Sequence, residues 1–236
     1  MVSTVIKNWD NKNWLSSNNY IKSFNNFLIK NIKLNSNSKI LDIGCGRGKI
    51  LGSLSSKLKL KNKPLGIDVI NHKDKDNRIN FKKIDAKYFF SKNKNEFDLI
   101  LIKQTIHLLD LNTIKKLLFL SKKNLSKNGK IFIFTLDTYQ NELPTFKLMK
   151  TKLEKSLDRD KRILEFISNL YPKRLKKKFI YKVKILKKKY LEMIEKRYIS
   201  ILLSLNNQQI SIGLNEINSK YKKTIRFKDR LTCIVL

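Results

Sequence analysis

Two acids and a run of glycines are the residues of this chain best suited to chemistry. Asp42 sits in a short apolar run, Ile40-Leu41-Asp42-Ile43, and Gly44, Gly46 and Gly48 follow at alternate positions with Cys45 and Arg47 between them. Glycines in such a turn let backbone N–H groups come close to a ligand, because no Cβ blocks the approach. Spacing separates the sites that use this device. A P-loop is excluded, since Ile43 stands where its first glycine belongs and Ile50 where its Ser or Thr belongs. A dinucleotide fingerprint is excluded, since Lys49 replaces its third glycine. The second acid, Asp68, lies near the end of Leu65-Gly-Ile-Asp-Val-Ile70. In nucleoside-binding α/β sheets a carboxylate at this place accepts hydrogen bonds from both ribose hydroxyls. His107 follows the apolar run Phe97–Ile102, where a parallel sheet presents ligands at its carboxyl end. An imidazole there can take a proton near neutral pH, orient a substrate, or simply pack between Ile106 and Leu108.

The remaining pattern, Asp-x-Gly-x-Gly-x-Gly, resembles the first motif of the class I S-adenosylmethionine-dependent methyltransferases. The resemblance is continuous from about Lys39 to Leu136, with four motifs in the family's order. It implies that Asp42, Gly44, Cys45 and Gly46 bind the methionine part of S-adenosylmethionine, and that Asp68 binds the ribose. Asp85-Ala86, after the third strand, resembles the pattern whose acid meets the adenine amino group. Lys103-Gln104 opens a segment similar to the loop that borders both adenosine and the transferable methyl. Gln104 and His107 are the polar groups there expected to meet substrate, with His107 as the catalytic candidate. Family members often carry a helical flap before the first strand, so Trp9, Trp14 and Tyr20 are expected either to line the pocket or to anchor that segment.

The elements that must position these residues follow from periodicity. Ser16 and Ser17 are N-cap candidates for a helix whose Ile21, Phe24, Leu28 and Ile32 share one face. Ile50, Leu51, Leu54 and Leu58 mark a second helix directly after the glycine turn. Strands are expected at Leu65–Ile70, Ile79–Ile84, Phe97–Ile102 and, after an Asn128-Gly129 turn, Lys130–Thr135, with a helix over Asn112–Leu125. This alternation predicts a doubly wound α/β sheet, Rossmann-like, seven-stranded and mostly parallel, with one antiparallel strand. Beyond it, Glu142–Asn169 reads as two helices interrupted near Asp158-Arg-Asp160. Lys176–Ile185 reads as a strand, Lys188–Leu205 and Asn207–Tyr221 as helices, and Ile225–Val235 as a closing strand. The expected organisation is one methyltransferase domain: a flap over residues 1–37, a cofactor-binding core over 38–136, and a helical substrate cover with closing strands over 137–236. The inserted helices resemble those of the small-molecule methyltransferases related to trans-aconitate methyltransferase.

Composition narrows the partners. The 236 residues carry 52 Lys+Arg against 19 Asp+Glu, a formal charge of +33. Such a field attracts nucleic acid, anionic surfaces or anionic substrates. The lysines are spread over every segment, which points to compositional bias and non-specific polyanion binding. Two cysteines do not make a disulfide framework, and no Cys/His cluster has metal-ligand spacing. No apolar run approaches the ~20 residues of a membrane span, so the protein is expected in the cytoplasm. The expected activity is methyl transfer to a small molecule, anions included. The alternatives are an RNA or ribosomal-protein methyltransferase, or a non-catalytic cofactor- or RNA-binding protein.

Overall fold

The structure, a computed structural model, describes residues 13–236. Seven strands form one sheet in the order β3-β2-β1-β4-β5-β7-β6. The strands are β1 (Ile40–Ile43), β2 (Leu65–Asp68), β3 (Asn80–Lys83), β4 (Phe97–Lys103), β5 (Leu125–Leu136), β6 (Leu175–Leu186) and β7 (Thr224–Val235). β1 to β5 pair in parallel, and β7 runs antiparallel to both β5 and β6. Helices α1 (Asn18–Asn31), α2 (Lys49–Leu58), α3 (Ala86–Lys92), α4 (Leu111–Lys123), α5 (Lys147–Leu170), α6 (Lys187–Glu195) and α7 (Asn207–Lys220) cover the sheet. The seven-stranded, mostly parallel architecture is the expected one.

Burial explains why β4 is central. Leu99, Ile100, Leu101 and Ile102 are all buried, because helices pack on both faces of a parallel strand. Its one acid, Asp98, lies at the entrance of the strand: its Oδ2 accepts the Lys39 N–H at 2.8 Å and its Oδ1 the Ser126 hydroxyl at 2.6 Å. One helical layer packs Phe24 of α1 against Phe134 and Phe179 at ring separations of 4.7 and 5.2 Å. The other packs Ile114, Leu117 and Leu118 of α4 with Ile163 and Ile167 of α5. α1 begins where expected: the Ser17 hydroxyl accepts the Tyr20 N–H at 3.3 Å, meeting one of the donors a helix start leaves open.

Three local expectations are corrected. Residues 147–170 form one helix without a break at Asp158-Arg-Asp160, since neither proline nor glycine interrupts it and Asp160 turns into the protein. The helix expected over Lys188–Leu205 stops at Glu195. Arg197 then adopts φ +50°, and its guanidinium holds the turn by donating to the Leu205 carbonyl and Asn207 Oδ1. This turn returns Tyr198 to the interior, where its hydroxyl lies 2.9 Å from that of Tyr190. Asn128-Gly129 is no free turn but part of β5. The register moves from Phe97↔Leu125 to Leu99↔Lys130, a bulge in which Gly129 lies against the Phe97 carbonyl.

Candidate active site

The carboxyl ends of β1, β2 and β4 enclose a cleft of about 440 Å³, within the range of small-molecule sites. Asp42, Gly44, Cys45, Gly46, Asp68, Asp85, Ala86, Lys103 and Gln104 all line it. The turn after β1 is built for close approach. Gly44, Gly46 and Gly48 have φ of +71°, +55° and +70°. A Cβ on Gly44 would collide with Thr105, so the turn can lie against the segment after β4 only with glycine there.

Asp68 does more than its place in the motif order suggests. Its Oδ2 accepts the Gly46 N–H and its Oδ1 the Ile70 N–H, both at 2.9 Å, so the carboxylate ties the glycine turn to the end of β2. Each oxygen keeps a second lone pair with which to meet a hydroxyl. Asp85 sits exposed on the rim, where its Oδ1 caps α3 through the Lys87 and Tyr88 N–H groups at 2.8 and 3.3 Å. The Cys45 side chain packs over Gly66, and burial pushes its thiol pKa up.

Asp42 is 5% exposed. Burial raises its pKa to about 7, with Lys103 opposing and the Asp68 charge adding to the rise. A buried carboxylate held near neutrality gains most from a cation placed beside it. The Lys103 ammonium donates to Gln104 Oε1 at 3.1 Å and lies over the rings of Tyr20 and Phe24 at 5.5 and 5.7 Å.

His107 does not line this cleft. It lines a second, smaller cavity of about 60 Å³, together with Trp14, Tyr198, Phe227 and two acids, Asp160 and Asp229. Burial, then the nearby Arg159, lowers its pKa to about 4, which leaves a neutral imidazole at pH 7. Gln104 and Leu15 line both cavities. Gln104 has φ +52°, a left-handed conformation unusual outside glycine, and is held there by its N–H to the Phe134 carbonyl at 2.8 Å.

The N-terminal aromatics divide. Trp14 lines the second cavity and donates its indole N–H to Asp229 Oδ2 at 2.9 Å, whereas Tyr20 is fully buried in the core and anchors α1. Trp9 lies outside the described residues. Sequence periodicity missed Asp160 and Asp229, although each carried a signal. Asp229 shares its strand face with Ile225, Phe227 and Leu231, and Asp160 falls on the stripe of Leu153, Ile163 and Ile167. A charge on an apolar face was the clue in both. Among the described residues no group of His, Cys, Asp and Glu is arranged to hold a metal ion, and both cysteines are free.

A seven-stranded sheet with antiparallel β7, carrying an acid-and-glycine cleft at its carboxyl edge, defines a class I S-adenosylmethionine-dependent methyltransferase. Residues 16–161, more than half of the chain, match the model of the methyltransferase small domain, and the chain belongs to that family. It is an S-adenosylmethionine-dependent methyltransferase. Solved structures share the fold. A putative methyltransferase from an antibiotic biosynthesis pathway of Anabaena variabilis has a TM-score of 0.56 at 14% identity, over 90% of this chain and 96% of that one. The plantazolicin methyltransferase BpumL, in complex with a monoazolic desmethylPZN analogue and SAH (S-adenosylhomocysteine), gives 0.53 at 18%, over 98% and 88%. Precorrin-6y C5,15-methyltransferase from Geobacter metallireducens gives 0.51 at 10%, over 89% and 85%. No curated protein matches the chain.

Proposed function

We propose that the chain methylates a small molecule whose reacting atom meets the cofactor methyl beside Gln104. The observation that carries this is the sharing of Gln104 and Leu15 by the cleft and the second cavity. In this reading Asp42, Gly44, Cys45 and Gly46 hold the methionine end, Asp68 the ribose, Asp85 and Ala86 the adenine, and Lys103 with Gln104 border the sulfonium. The cleft suits the group: Asp42 is a buried carboxylate that an ammonium would return to its ionised form. Relatives of known fold support small substrates, BpumL having been solved with a desmethylPZN analogue. Leu153, Ser156 and Asp160 of α5 and the Tyr198–Ile201 segment after α6 wall the second cavity, which favours a likeness to the trans-aconitate methyltransferase relatives, and the cytoplasm remains the proposed compartment.

S-adenosylmethionine supplies a sulfonium-activated methyl, so the bond to the substrate forms as the C–S bond breaks and its electron pair stays on sulfur. The protein then has to align and to exclude water. Trp14, Leu136, Leu143 and Phe227 wall the second cavity with apolar surface. Gln104 separates the two spaces at its fixed, left-handed backbone. His107, neutral at pH 7, is proposed as a hydrogen-bonding group for the substrate; with a pKa of about 4 it is poorly matched to proton removal near neutrality.

A broad groove at the amino ends of the parallel strands, lined by Lys30, Lys33, Lys122, Lys127, Lys173 and Arg174, supports weak polyanion binding away from the cleft. Calorimetry tests the central reading. SAH should bind, and Asp68→Ala should weaken it by ~1–3 kcal/mol through the lost acceptor and the loosened glycine turn. Absence of SAH binding, or binding of NAD in its place, would overturn it. Labelled S-adenosylmethionine offered to fractionated metabolites and RNA would then report the substrate class.

A further inference from the structure

The second cavity is opposite in sign to the molecule around it. Against a formal charge of +33, its deep polar residues are Asp160 and Asp229, 3% and 6% exposed. Among the described residues Asp160 Oδ1 has no hydrogen-bond partner, and its one ion pair is with Arg159, whose Nε stands 3.9 Å away on a side chain about half exposed. Among the described residues the Asp229 side chain accepts a hydrogen bond from the Trp14 indole, and it feels the Lys103 charge. The other charged groups at the cavity are committed or outlying. Arg230 pairs with Glu142, Lys228 is exposed, and His107 is neutral at pH 7. Buried carboxylates left so sparsely compensated are costly unless a donor reaches them. Both titrate upward because of burial, which agrees with that shortage.

We infer that this cavity binds a small apolar-bodied amine, its ammonium seated against Asp160 and Asp229 and its hydrocarbon against Trp14, Leu153 and Phe227. The inference rests on the methyltransferase reading only in calling this molecule the substrate. It replaces the anionic substrate suggested by bulk charge, because contact with two desolvated carboxylates outweighs a distant surface field that salt screens within about 8–10 Å. Size follows from volume. About 60 Å³ holds roughly four to six water-sized groups, the dimensions of a short branched alkyl amine.

Isoamylamine, isovalerate and isoamyl alcohol share one hydrocarbon skeleton and differ in head group, so they are the probes. In a Trp9→Phe background Trp14 is the sole indole of the chain, and its N–H resonance reads the cavity directly. Titrations are run with and without SAH, and SAH binding is measured separately by calorimetry. Isoamylamine should shift the Trp14 resonance saturably, at least tenfold more tightly than isovalerate, with the alcohol between them. Asp160→Asn should erase most of that preference. Asp229→Asn should do the same, and serves if the first variant does not fold. Equal or tighter binding of isovalerate, or no response to the amine in the tens of millimolar, would overturn the inference even if SAH binds. Amine binding in a protein that ignores SAH would uphold the inference and sink the methyltransferase reading.

Discussion

Replacing Asp42 by Asn should stabilise the empty protein while weakening its hold on the cofactor. Burial lifts this carboxyl from its ordinary 3.8 to about 7 in the folded chain. As pH rises through 3.8 the unfolded chain loses its Asp42 proton first, so rising pH favours unfolding until the folded group also ionises near 7. The cost of Asp42 therefore grows between pH 4 and pH 7 and stays level above. At about 1.36 kcal/mol per tenfold change, the difference between 3.8 and about 7 amounts to roughly 4 kcal/mol. Asn keeps the shape without the charge and avoids that cost. Urea denaturation of the SAH-free protein at pH 4.5 and pH 8 should show Asp42→Asn gaining little at the lower pH and up to ~4 kcal/mol at the higher. Calorimetry at pH 8 should show SAH bound more weakly by ~1–3 kcal/mol, since a charge-assisted acceptor is gone. In the wild type SAH affinity should fall as pH drops below about 7, because an ammonium ligand requires the ionised carboxylate. A stability difference that is negative, or the same at both pH values, would refute the reasoning.

Other outcomes follow from the same geometry. Gly44→Ala places a methyl against Thr105 in a backbone at φ +71°, so SAH binding should be lost and the melting temperature lowered, both measurable by scanning calorimetry with and without ligand. His107→Asn should raise the KM for the substrate and leave cofactor affinity alone. The wild-type kcat should show no limb between pH 5 and pH 8 from this residue, because its pKa lies near 4; a limb near 6.5 that vanishes in the variant would restore His107 as a base. RNA should bind weakly, without sequence preference and with steep loss as salt rises in filter-binding titrations. Reversing Lys122, Lys127 and Lys173 to Glu should reduce that binding without touching SAH affinity.

Local patterns alone carried the cofactor half of this protein. Asp42, the glycines and Asp68 lie at the ends of short strands whose apolar runs are legible as such, and the βαβ geometry leaves few ways to arrange them. The same applies to Ser17 as a helix cap and to the alternation of β6 and β7. Tertiary structure decided the rest. The stripe of Leu153, Ile163 and Ile167 hinted that Asp160 faces inward on a continuous α5, but only packing beside the segment carrying His107 makes it the wall of a cavity. Arg197 folds back because Tyr198 finds Tyr190, a contact between residues on either side of a helix end. His107 was expected among the substrate-facing groups after β4, yet which of two adjoining cavities it enters depends on Trp14 and β7, which lie far away in the chain. Charge shows the division most plainly. A sum over the sequence is positive, while the sign inside a cavity is set by the few side chains whose solvation folding removes, and those are acids.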